Sequence, residues 1–145
     1  MRTPEVLLVD DNPADTDLTS EVLARTGSPS HIHAVTDGVE AMAFLRREGK
    51  YINALLPDLV ILDLSLPKKD GRTVLAEVKA DPVLRKIPIA IFSTSEAQRD
   101  IVRSYELGAN CYVSKPGNLQ GFISAVSSIG EFWFGLARLP REEEQ

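Results

Sequence analysis

The chain has 145 residues, 43% of them hydrophobic and 26% charged, with a formal net charge of -5. That length and composition predict one globular domain with a single core rather than disorder, and the acidic balance argues against nucleic-acid binding, which needs a basic face. No apolar run approaches the ~18 residues of a membrane span, nothing after Met1 resembles a signal peptide, and the single cysteine, Cys111, cannot form an internal disulfide. A reducing cytoplasm is the expected location.

In chain order, EVLLV at 5–9 reads as a strand covered on both faces and runs straight into two adjacent carboxylates, Asp10 and Asp11. Asn12 and Pro13 suit the cap and first position of a helix over 14–26 closed by Gly27. IHAVT at 32–36 is the weakest strand, because it alternates. His31 and His33 beside and within it could share a metal, but no third ligand is evident and exposed edge positions are expected. A helix over 39–48 closed by Gly49 follows, then the strand DLVIL at 58–62, which ends on Asp63. Asp70-Gly71 reads as a turn into a helix over 72–80, stopped by Asp81-Pro82. IAIF at 89–92 is a fourth strand ending on Ser93, and Ser95 with Gln98 has the capping-box pattern for a helix over 96–107. NCYVS at 110–114 is a fifth strand that leads to Lys115, with Cys111 expected to be buried and inert.

A fifth helix is predicted from about Asn118 to Ala137, with apolar residues at 119, 122, 123, 126, 129, 133 and 136. Such a helix spans roughly 28 Å against about 17 to 20 Å for a typical strand. It is expected to overhang the sheet and to present Ile129, Phe132, Trp133 and Phe134 as a homodimer interface. The domain is therefore set at 1–137, with 138–145 as an acidic tail.

Five strand-helix units imply an α/β fold with a doubly wound, five-stranded parallel sheet, helices on both faces and an extended fifth helix. Ligands of such folds sit outside the carboxyl ends of the strands, where the strand order reverses. Asp10, Asp11, Asp63, Ser93 and Lys115 all follow strands and converge on that crevice. Three carboxylates together repel one another unless a cation lies among them, and hard oxygen ligands with open positions suit Mg²⁺. Beside it, a carboxylate can attack a phosphoryl group while the metal, a hydroxyl and an ammonium share the charge.

VDDN, LDLSLPKKDG, the hydroxyl in IFSTSEA and YVSKP stand in the order and at the separations of the response-regulator receiver family, which the chain resembles over residues 5 to 135. The resemblance implies a flavodoxin-like receiver fold with Asp63 as phosphoacceptor. It further implies Mg²⁺ held by Asp10, Asp11, Asp63 and the backbone carbonyl of Ser65. Ser93 is then the switch hydroxyl, Tyr112 the switch aromatic and Lys115 the phosphoryl partner, with a cis bond before Pro116. SYELGANCYVSKP and FISAVSSIGEFWFGLARLP are similar to the small single-domain regulators that pair with phytochrome histidine kinases. The implied role is a phosphorelay acceptor served by such a kinase rather than an enzyme acting on an external substrate. Ser93 stands where Thr is frequent in the family, and Ser65 and Gly117 also depart from common patterns.

Two alternatives remain. An aspartate-nucleophile phosphatase needs a second Asp two residues after the nucleophile, where this chain has Ser65. A receiver-like interaction module that works without phosphorylation has no need of the complete acidic set.

Overall fold

The computed structural model describes residues 3–25 and 30–140; Gly27 and most of the acidic tail lie outside them. The strands are β1 (Glu5–Val9), β2 (His31–Val35), β3 (Leu59–Leu62), β4 (Ile89–Ser93) and β5 (Cys111–Ser114). The helices are α1 (Pro13–Ala24), α2 (Gly38–Arg46), α3 (Gly71–Ala80), α4 (Gln98–Glu106) and α5 (Leu119–Gly130). All neighbouring strands pair in parallel in the order β2-β1-β3-β4-β5, a flavodoxin-like arrangement whose order reverses between β1 and β3.

The continuous apolar runs follow from two cores. Leu7, Val9, Val60, Leu62, Ile89 and Ile91 point to one face, against Met42, Phe44 and Leu45 of α2 and Val74, Leu75 and Val78 of α3. The alternate residues Val6, Leu8, Leu59, Ile61, Ala90 and Phe92 meet Val22 and Leu23 of α1 and Phe122, Val126 and Ile129 of α5. With a side-chain period of two, a strand covered on both faces turns neither set of alternate residues to solvent, which favours a continuous apolar run. The edge strands differ: β2 is mostly exposed and β5 half-buried, so Cys111 is only partly covered.

Caps define most helix starts. The side chains of Asn12, Asp37, Asp70 and Asn118 each accept backbone N–H groups of α1, α2, α3 and α5. The capping box expected for α4 does not form. Its N-cap is Ala97, without a side-chain cap, because the Ser95 hydroxyl donates to Asp100 Oδ2 at 2.6 Å instead. Glycine is obligatory at the start of α3, where a Cβ on Gly71 would lie 2.2 Å from the carbonyl oxygen of Asp63.

The fifth helix runs nearly as far as expected, but its winding changes on the way. α5 stops at Gly130, and Glu131–Leu136 continue as a wider π-helical turn, closed by the Ala137 N–H donating to the Phe132 carbonyl at 2.7 Å. The α-helical part alone covers about 18 Å at 1.5 Å per residue, and the π-helical turn carries the helix beyond that. Ile129 lies in the core at 5% exposure, and Trp133 and Phe134 pack partly against that same core. Phe132, at 49% exposure, and Leu136, at 74%, are left facing out.

Candidate functional site

Backbone pairing places the site residues before their side chains act. Asp10, Asp63 and Lys115 each stand one residue beyond a strand, and each extends the sheet by one bond. Their N–H groups donate to the carbonyls of Val35, Val9 and Ser93 at 3.1, 3.0 and 2.7 Å. The three side chains are thus carried to one crevice at the carboxyl end of the sheet and are nearly buried there.

Lys115 binds them together. Its ammonium donates to Asp10 Oδ2 at 2.8 Å, Asp15 Oδ2 at 2.9 Å and Asp63 Oδ2 at 3.0 Å, so all three N–H bonds have a carboxylate. Burial alone would lower the lysine pKa, but its hydrogen bonds to Asp10, Asp15 and Asp63 outweigh burial and raise it above its ordinary value. Lys115 is therefore a fixed positive charge. At Asp10 burial wins: its carboxyl is pushed up, and Lys115 and the Asn12 N–H on Oδ1, at 3.0 Å, only partly offset that. The far oxygen of Asp63 accepts the Ser65 N–H at 3.2 Å.

One ammonium serves too many carboxylates. Oxygens of Asp10, Asp11 and Asp63 all lie within 4.8 Å of one another, with Asp11 exposed at the mouth. The trio fits a hard divalent cation: all its donors are oxygens, and the negative charge exceeds what Lys115 balances. Ser65 is exposed at the rim.

The remaining residues expected at the site lie one layer out. Ser93 is 2% exposed, and its Oγ accepts the Ser95 N–H at 3.4 Å. The Tyr112 hydroxyl donates to the Ser95 carbonyl at 2.9 Å, while its own N–H donates to the Tyr105 hydroxyl at 3.1 Å. Ser95 is thus a junction between Ser93 and Tyr112, and Asp100 ties it to Arg72 Nη2 at 2.7 Å. The bond before Pro116 is trans, since no described peptide bond is cis. An X–Pro amide separates the two isomers by only about 0.5–1 kcal/mol, and Lys115 reaches its carboxylates from the trans form.

Sequence reasoning missed Asp15, Ser95 and Asp100. Asp15 had one visible signal: an acidic residue in the first turn of a helix whose N-terminus faces the crevice. It also missed the third partner of the two histidines. Nearly buried Glu5 accepts His31 Nδ1 on one oxygen at 3.1 Å and His33 Nε2 on the other at 2.9 Å. Burial would raise the Glu5 carboxyl, but hydrogen bonds and charge from His31 and His33 overcome it and hold the pKa below the usual range.

Comparison with known proteins bears on the same residues. A family model described as the response regulator receiver domain matches residues 6–127. Response regulator Rcp1 of Synechocystis is 44% identical over 135 residues, covering 93% of this chain and 92% of its own. Among solved structures, the phosphorylated cyanobacterial phytochrome response regulator RcpA superposes with a TM-score of 0.93 at 50% identity, covering 97% of this chain and all of that one. The Mn²⁺-bound form of Rcp1 superposes with a TM-score of 0.92 at 43% identity, over 95% of this chain and 99% of that one.

Proposed function

This chain belongs to the response regulator receiver family, and we propose that Asp63 accepts a phosphoryl group from a phytochrome-type histidine kinase with Mg²⁺ bound at Asp10, Asp11, Asp63 and the Ser65 carbonyl. The observation that carries this reading is the shared ammonium: Lys115 reaches Asp63 and Asp10 at once, beside a trio of carboxylates that suits a divalent cation. The likeness to phytochrome regulators over nearly the whole chain supports the choice of kinase.

In the proposed reaction an Asp63 oxygen attacks the phosphorus of a phosphohistidine, an O–P bond forms, the P–N bond breaks and the imidazole leaves with the electron pair. A carboxylate attacks through an oxygen lone pair and needs no general base to remove a proton. The bound cation would supply charge neutralisation at the transferring oxygens. Lys115 and Ser93 offer donors to those oxygens, and near-burial of Asp63 limits access of water to the acyl phosphate. Asp63→Asn should abolish base-labile labelling by acetyl phosphate in Mg²⁺; undiminished labelling overturns the assignment.

The output side is proposed as a switch in which Ser93 moves toward the phosphoryl oxygens and Tyr112 exchanges its Ser95 carbonyl partner for an inward position. Structures with and without beryllofluoride that share one Ser93 and Tyr112 arrangement would refute it. A homodimer through the C-terminal turn is proposed on Phe132 and Leu136, the exposed apolar pair, with Trp133 and Phe134 at its margin. Ile129 is withdrawn from that face because it belongs to the core. Sedimentation should give a dimer that Phe132→Ala weakens, and a wild-type monomer at high micromolar concentration would exclude it.

A further inference from the structure

Resting on that reading, we propose that Asp15 is a positioning residue that takes over Lys115 when a divalent cation claims the carboxylates of Asp10 and Asp63. The ammonium has three carboxylate partners, at 2.8, 2.9 and 3.0 Å, and two of them belong to the candidate metal trio. Asp15 is the third, and it stands outside that trio. A cation and an ammonium compete for Asp10 and Asp63, since both positive charges draw on the same two carboxylates. A further anion that receives the lysine spares a buried ammonium the cost of losing its partners on metal entry.

Asp15 is built for that task. Its place in the first turn of α1 is set by the Asn12 cap, whose Oδ1 accepts the Asp15 N–H at 3.1 Å. Its side chain retains 26% exposure, whereas Lys115 and Asp10 retain 4% each, so Asp15 keeps its charge in contact with water while the other two are enclosed. The Lys115–Asp15 pair can thus persist when the rest of the network is rearranged. It would hold the ammonium beside Asp63, within reach of an incoming phosphoryl oxygen, and off the metal ligands.

The coupling through Lys115 separates this role from a direct one. If Asp15 acts by drawing the lysine away, its removal leaves the ammonium to compete harder for Asp10 and Asp63, and metal binding weakens. Without Lys115 nothing competes, and only the through-space effect of one partly solvated negative charge outside the metal trio remains.

Mn²⁺ binding, followed by the electron paramagnetic resonance of the free ion, tests this on the whole chain. Asp15→Ala should weaken Mn²⁺ binding about tenfold, and Asp15→Asn, which keeps an acceptor oxygen but no charge, by less. In a Lys115→Ala background the same substitutions should cost less than about threefold, a non-additivity that belongs to the pair. Equal losses in both backgrounds would mean that Asp15 acts on the metal directly, and no loss in either would mean that it does not act; both overturn the inference. Wild-type protein that binds no Mn²⁺ would overturn the proposed function as well, whereas normal wild-type binding confines the failure to Asp15.

Discussion

β1 carries a nearly buried carboxylate at each end, and the two ends are settled differently. At the amino end, Glu5 faces two exposed imidazoles, one on each oxygen, and its pKa is held low. At the carboxyl end, Asp10 shares one ammonium with Asp15 and Asp63, and burial holds its pKa high. The strand and its neighbours are the same at both ends. What differs is the supply of partners: each Glu5 oxygen has a histidine of its own, whereas Asp10 shares one ammonium with two other carboxylates. The amino end is thus a finished structural contact, and the carboxyl end is left short by about the charge of a cation.

Removing the positive charge of Lys115 should break this contrast most. Lys115→Ala leaves Asp10 and Asp63 buried without their counter-ion and should cost about 3 kcal/mol, read by urea denaturation at neutral pH in a chelator. Mg²⁺ should restore part of the loss. Unchanged stability would mean that the carboxylates are not in conflict. Glu5→Gln keeps the shape at the amino end but removes the charge that two partly exposed histidines share, so it should cost about 1 kcal/mol, with no recovery on adding Mg²⁺.

The opposite sign is expected for Asp10→Asn, which relieves the crowded end. Without divalent cation it should stabilise the protein by on the order of 1 kcal/mol, about 2–4 °C in Tm. The pH profiles sharpen the difference. Glu5 has a folded pKa below its ordinary 4.5, so its contribution is complete above 4.5 and is lost as pH falls through the lower folded value. Asp10 has a folded pKa above its ordinary 3.8, so its cost is present above the folded value and has vanished by 3.8. The advantage of Asp10→Asn should therefore fade on acidification before the penalty of Glu5→Gln does. If both differences disappear over one pH range, the two ends are not distinct.

Much of this was legible in the sequence because the physics is local or periodic. The runs EVLLV and DLVIL showed their burial directly, and Asn12 before Pro13 marked the start of α1. Asp10, Asp63 and Lys115 were legible because a strand end is a position, and position alone brought them together. Asp15 was not, since it approaches from a helix and its meeting with Lys115 depends on how α1 sits on the sheet. Glu5 was hidden by its place inside an apolar run, where only the parallel register of β1 with β2 sets it opposite His31. The end of α5 misled because apolar residues at helical spacing do not reveal a change of winding. The π-helical turn redirects Trp133 and Phe134 onto the core without altering the pattern.

A genetic screen for signalling-dead alleles would return a residue with no functional group. Gly71 presses its Cα against the strand end that carries Asp63, and its N–H donates to the Leu64 carbonyl at 2.9 Å. A single methyl at that position has to displace the Asp63 backbone, and the carboxylate with it. Alleles at Gly71 should therefore yield folded, soluble protein in which every chemical group of the crevice is present and none is in its place.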